Sequence, residues 1–137
     1  MSTENVGLVR RWFRGLGRGE LTPEICDPEI VIRNWDESPV RGPYHGHEGL
    51  GQWWADLADA IEEMRLELDE ATDLGDGRVL TIQRIVGRFR LTGIELDAPW
   101  GSILTVGDGK ILSATGYATP GQARRAAGLS QGARSAG

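Results

Sequence analysis

The spacing of apolar residues changes character along the chain. At the start, Val6, Val9, Phe13 and Leu16 recur at helical intervals, and Leu8 and Trp12 widen the stripe. Ser2 or Thr3 is placed to cap this helix, and Gly15, Gly17 and Gly19 to end it. Leu21 to Cys26 reads as a short second helix, with Thr22 as N-cap and Pro23 at its first position; Asp27-Pro28 stops it. Ile30 to Trp35 reads as a strand, and Asp36 to Gly42 as a loop. A second long helix begins near His47. Leu50, Trp53, Trp54, Leu57, Ile61 and Met64 form its apolar stripe, and Gln52, Asp56, Asp59, Glu62 and Glu63 its wet face.

The period then becomes two. Met64, Leu66 and Leu68 alternate with Arg65, Glu67 and Asp69. Gly75-Asp76-Gly77 and Gly107-Asp108-Gly109 are hairpin signals. Between and around them lie long strands over Arg78 to Arg90, Ile94 to Val106 and Lys110 to Ala118, with Leu91-Thr92-Gly93 as a further turn. Gly87, Gly93, Pro99 and Gly101 are placed to bend or bulge these strands. Thr119-Pro120 opens a last helix through Ala127, closed by Gly128. Ser130 to Gly137 reads as a disordered tail, which leaves one domain over residues 1–129. Helices first and antiparallel strands later imply an α+β fold: a curved antiparallel sheet wrapped around helices on one face, enclosing a cone-shaped pocket.

Composition narrows the function classes. The net charge of −5 argues against nucleic-acid binding, which needs a basic footprint. Nine acidic residues against one base lie between Asp56 and Asp76, whereas no acid follows Asp108. The plain account is a solvated acidic face and a basic tail. The single cysteine, Cys26, permits no internal disulfide; together with an N-terminus lacking basic and apolar signal regions, it leads us to expect a cytoplasmic protein. No stretch has the length of a membrane span.

Candidate chemistry concentrates around Pro43 to Leu57, which contains both histidines. His47, at the mouth of the second helix, fits a structural role at the turn. His45, one residue earlier, points elsewhere and is a candidate general base if it faces a cavity. Asp36 is a candidate base if burial raises its pKa. Tyr44, Arg84 and Tyr117 are candidates to stabilise developing negative charge, Arg84 only if it points inward rather than to the solvent face of its strand. Five tryptophans, Trp12, Trp35, Trp53, Trp54 and Trp100, exceed what filling a small core requires and suggest an aromatic-walled pocket. Two histidines and Glu48 make a poor metal set, so no metal is expected. Gly15-x-Gly17-x-Gly19 follows a helix rather than a strand, so no dinucleotide or other organic cofactor is implied.

Several segments together resemble the NTF2-like superfamily and, within it, the SnoaL-like group. They are Leu8-Val9-Arg10-Arg11-Trp12-Phe13 with Gly19-Glu20-Leu21, Asp27-Pro28-Glu29-Ile30, Tyr44 to Leu50, Gly107 to Ile111, and Ala126-Ala127-Gly128-Leu129. The superfamily includes ketosteroid isomerase, polyketide cyclases, limonene epoxide hydrolase and non-catalytic binding domains. Matched residue by residue, Trp12 stands where the isomerase has its oxyanion-hole tyrosine. Ser102, or a close neighbour, stands at the protonated aspartate, and Arg33 or Asn34 at the general base. All three are changed. The carboxylate that polyketide cyclases carry near the last strand has no counterpart in Thr115 to Thr119. Arg84 with Asp36 and Asp97 is a loose imitation of the epoxide hydrolase set.

Two readings follow. In the first, the protein is a cofactor-free isomerase, cyclase, dehydratase or hydrolase acting on an apolar, polyketide- or terpenoid-like compound. Asp36, His45, Tyr44 and Arg84 would be its catalytic groups. Trp12, Asn34, Trp35, Trp53, Trp100, Ser102 and Tyr117 would line the pocket. In the second, it is a non-catalytic ligand-binding or dimerisation module. The resemblance also implies a homodimer through the open face of the sheet.

Overall fold

A computed structural model describes residues 2–129; the tail expected to be disordered lies outside them. The first helix, α1, covers Ser2–Gly17 and buries Val9, Trp12, Phe13 and Leu16. Its exit is pinned by the Trp12 indole N–H, which donates to the Leu21 carbonyl at 3.1 Å. In place of the expected second helix there is one 3-10 turn, Pro23–Ile25. Thr22 precedes it at φ 48° without a side-chain cap bond.

Strand β1 covers Cys26–Arg33, starting four residues earlier than the sequence suggests. Pro28 is tolerated because the pairing of β1 is irregular between Cys26 and Val31, so no ladder bond is demanded of it. The two-residue β2, Tyr44–His45, leads into α2, Gly46–Ala60, which buries Leu50, Trp53 and Leu57. The helical stripe read through Ile61 and Met64 overran. Ile61 stands four residues after Leu57 and also opens a strand, so it satisfies both periods, and the chain switches there.

Four long strands follow: β3 (Ile61–Asp73), β4 (Arg78–Phe89), β5 (Glu95–Gly107) and β6 (Lys110–Tyr117). Both Gly-Asp-Gly signals make the turns expected of them, between β3 and β4 and between β5 and β6. The sheet has six strands in the order β2-β1-β6-β5-β4-β3. It is mixed rather than wholly antiparallel, because β1 runs parallel to β6. The β4–β5 register is unbroken from Arg78↔Thr105 to Arg88↔Glu95, so Pro99 and Gly101 make no bulge there, whereas on its β3 side Gly87 lies opposite the irregularity between Glu62 and Arg65. The register shifts lie instead in β1, in β3 and between Thr105 and Val106. Gly87 answers a close approach: a Cβ there would meet Ile61 and the Glu62 carbonyl.

The sheet has an inner and an outer face. Val79 and Leu104 point inward into the main core with α1 and α2. Leu80, Ile82 and Ile103 point outward and are covered by α3, Pro120–Ala126, through Ala123 and Ala127. The helices are thus not all on one face, as expected, because the last one crosses to the other side. Thr119 caps it, its Oγ1 accepting from the Gln122 amide at 3.1 Å. Arg124 on α3 donates two hydrogen bonds of 3.1 Å to Glu70 on β3, which joins the basic end of the chain to the acidic stretch. No helix among the described residues is long and apolar enough to cross a membrane.

Candidate functional site

Beyond Arg33 the chain leaves the sheet and doubles back. The Asn34 amide N–H donates to the Arg41 carbonyl at 2.8 Å and the Ser38 N–H to the Trp35 carbonyl at 3.0 Å. This loop carries Trp35 and Val40 over the open end of the cone, opposite Trp53 and Leu57 of α2 and Ile85, Phe89, Leu96 and Trp100 of the sheet. Between them lies a partly open cavity of about 130 Å³. A second, smaller chamber of about 20 Å³ adjoins it, sharing Asn34, Trp53 and Trp100 in its lining and reaching Trp12, Ser102 and Gly116. Trp35 and Trp100 face each other with ring centroids 5.7 Å apart at 58°, and Trp12 stacks on Trp53 at 6.0 Å.

Of the residues expected to line a pocket, Trp12, Asn34, Trp35, Trp53, Trp100 and Ser102 do so. Tyr117 does not. It pairs with Gly101 on β5, points outward and packs against the α3 cluster. The one-residue ambiguity between Arg33 and Asn34 is resolved by the β1–β6 register: Arg33 is exposed, and Asn34 faces inward.

The four groups expected to be catalytic all lie outside this lining. Asp36 is exposed in the loop rather than buried between Trp35 and Tyr44. His45 is exposed at the entrance to α2. Tyr44 turns toward α2 and donates to Asp56 Oδ2 at 2.8 Å; desolvation and then this bond push its pKa up to about 12. Arg84 sits on the outer face in an ion pair with Asp97 at 2.7 Å. Alternation decides this last placement: Gln83 and Ile85 take the inner face, so Arg84 between them cannot. His47 is a tether, its Nε2 lying 2.8 Å from the Cys26 carbonyl. Burial pushes the Cys26 thiol up to about 12, so it is protonated at neutral pH. No group of three or more His, Cys, Asp or Glu among the described residues is arranged to hold a metal ion.

Among the described residues, the lining of both chambers therefore holds no Asp, Glu, His, Cys, Tyr, Lys or Arg. Its polar content is Asn34, Ser38, Ser102 and the tryptophan indoles. Asn34 Nδ2 donates to the Val40 carbonyl at 2.9 Å, which turns Oδ1 the other way, against Gly116. Behind Ser102 is a small polar group that sequence reasoning missed. Thr81 Oγ1 lies 2.6 Å from Ser102 Oγ, and Gln83 Nε2 donates to the same oxygen at 3.1 Å. Gln83 Oε1 and Trp100 Nε1 are buried with no hydrogen-bond partner among the described residues. A Thr-x-Gln pair alternating with Leu80 and Ile82 was the available signal, but apolar residues on both faces of β4 obscured it.

The SnoaL-like domain model matches residues 9–114. The chain belongs to this family. No curated protein matches the sequence significantly. Among solved structures, this SnoaL-like chain is similar to an NTF2-like protein from Burkholderia thailandensis E264, with a TM-score of 0.77, 18% identity and coverage of 85% of this chain and 91% of that one. It is also similar to a protein of ketosteroid isomerase-like fold from Catenulispora acidiphila DSM 44928, solved with trimethylamine (0.68, 15%, 89% and 92%). A third is TerC, co-crystallised with polyporic acid (0.72, 17%, 82% and 89%). At these identities the likeness establishes the NTF2-like fold. The SnoaL-like family includes polyketide cyclases and isomerases, alongside many members of unknown function.

Proposed function

We propose that this SnoaL-like chain binds a flat, neutral, largely apolar small molecule between Trp35, Trp53 and Trp100, and that it is a binding module rather than an acid/base enzyme. The observation that carries this reading is that, among the described residues, no ionisable side chain lines the cavity. Proton transfer at neutral pH needs a group of suitable pKa within hydrogen-bond reach of the substrate. Asp36, His45, Tyr44 and Arg84 are not among the lining residues. A neutral ligand fits for the same reason, since a buried anion or cation here has no partner to offset its desolvation. An apolar cavity of roughly 150 Å³ holds benzene, so the space here suits one ring, with further parts of a larger ligand projecting through the open side.

The test is titration with one- and two-ring ketones, phenols and hydrocarbons, followed by tryptophan fluorescence and by thermal shift, with mass spectrometry of each compound after long incubation. Saturable binding with the compound recovered intact supports the reading. Turnover that disappears in Asp36→Asn or His45→Gln restores the enzyme and ends this proposal. The cytoplasmic setting remains part of the reading and rests on the single cysteine, Cys26, which allows no internal disulfide. The homodimer rests on family resemblance, and size-exclusion chromatography with light scattering tests it.

A further inference from the structure

The inner end of the cavity is polar in one defined way. Thr81 of β4, Ser102 of β5 and Gly116 of β6 are direct cross-strand partners, so they form a row across the inner face. The Asn34 carboxamide completes the row. Its Oδ1 occupies the place a Cβ would take at Gly116, and a side chain there would also press on the Trp100 ring. Glycine at position 116 is therefore what lets an amide from β1 reach over β6 toward Ser102. Asn34 Oδ1 is an acceptor whose orientation is set by the Nδ2 bond to Val40. Ser102 Oγ accepts from Gln83 Nε2 and sits 2.6 Å from Thr81 Oγ1, whose other acceptor, the Ser102 carbonyl, is more distant at 3.5 Å. With Thr81 donating to it, Ser102 Oγ has both acceptor sites filled, and its own proton is left to donate.

The chamber bordered by Asn34 and Ser102 measures about 20 Å³. That is room for at least one water-sized group. We propose that this inner chamber is a hydroxyl-recognition site: the ligand enters with a neutral phenol or cyclic alcohol leading, its O–H donating to Asn34 Oδ1 and its oxygen accepting from Ser102. This deepens the binding reading above and rests on it. A neutral hydroxyl both donates and accepts through a single atom, which matches an acceptor and a donor set side by side. A carboxylate needs a positive partner, and neither chamber is lined by one among the described residues.

The test uses the intact protein with phenol, toluene, anisole and benzoate as probes, read by tryptophan fluorescence and calorimetry. Phenol and toluene share a shape, and anisole retains the oxygen but lacks the donor. The expected result is about tenfold tighter binding of phenol than of toluene or anisole, the size of one to two net hydrogen bonds. A featureless apolar cavity gives the opposite order, because phenol pays its dehydration without return. Gly116→Ala displaces the Asn34 amide and is expected to abolish the preference while toluene still binds, and Ser102→Ala is expected to do the same. Toluene binding as tightly as phenol, benzoate binding more tightly than phenol, or a preference that survives Gly116→Ala each overturns the hydroxyl site alone. Binding of none of the four overturns it together with the ligand-binding reading. The wild-type comparison decides the matter even where a variant fails to fold.

Discussion

Ser102→Ala probes the buried polar row most directly. In the folded protein Ser102 Oγ serves Gln83 Nε2 at 3.1 Å and Thr81 Oγ1 at 2.6 Å, and both partners are fully buried. Deleting the oxygen leaves the Gln83 amide with neither end satisfied, because its Oε1 already lacks a partner. Thr81 retains only its 3.5 Å contact to the Ser102 carbonyl. Orphaning a buried polar group costs about 1–3 kcal/mol. One full orphan and one partial orphan together imply a loss of about 2–4 kcal/mol, a large share of a typical domain stability. Gln83→Leu is expected to behave differently. It forfeits one hydrogen bond but removes a carbonyl oxygen that has no partner, so the net change is about 1 kcal/mol or less in either direction. In the double variant only Thr81 is left short, and at least about 1 kcal/mol of the Ser102→Ala loss returns. Urea denaturation of the four proteins measures this cycle, and thermal melts provide a second reading at roughly 3–6 °C per kcal/mol for a chain of this size. Losses that add to within about 0.5 kcal/mol, the behaviour of independent sites, refute the shared network. So does a Ser102→Ala variant as stable as the wild type.

Other predictions concern the groups placed outside the cavity. The Arg88 guanidinium bonded to Glu62 holds that carboxyl below its ordinary pKa. Its contribution is therefore present above the ordinary carboxylate range and is lost as pH falls through the lowered value. Melting temperatures of Glu62→Gln and wild type are expected to converge on acidification, and a gap that widens below pH ~4 contradicts the assignment. Cys26 and Tyr44 are shifted the opposite way, both to about 12. Each thus disfavours the folded state as pH climbs from its ordinary value toward 12, and urea midpoints are expected to fall steadily between pH ~9 and ~11. In native protein at pH 8 the Cys26 thiol is expected to resist a maleimide that labels it readily in urea; rapid native labelling speaks against its burial. His47→Ala removes the tether to Cys26 and is expected to cost about 0.5–1.5 kcal/mol in denaturation while leaving the affinity for a cavity ligand unchanged. A change in affinity places His47 in the site after all.

The helix-to-strand switch, the hairpins and the SnoaL-like resemblance were legible because each depends on residues near one another in sequence. Val9, Trp12, Phe13 and Leu16 announce a face, and Gly107-Asp108-Gly109 announces a turn, whatever lies elsewhere. The aromatic lining was legible for a related reason: tryptophan in excess of core needs has few other uses. The catalytic candidates all fell outside the cavity lining because each rested on which way a side chain points. Arg84 and Tyr117 fall on the outer face by strand register, and Tyr44 is held by Asp56 on a helix twelve residues away. Alternation alone could not assign β4. Its Val79 and Ile85 serve the main core, while Leu80 and Ile82 serve α3, so both faces are apolar and period two has no preferred phase.

Local chemistry in the sequence thus determined the long helices and strands, the turns and the aromatic character of the interior. The tertiary structure alone decided that β1 lies parallel against β6, that α3 crosses to the outer face, and that Asn34 reaches across Gly116 toward Ser102. The physical reason is range. A turn or a helical stripe is settled by the torsions and contacts of a few successive residues. The facing of a strand, and with it the polarity of a cavity, is settled by partners joined only when the whole sheet has closed.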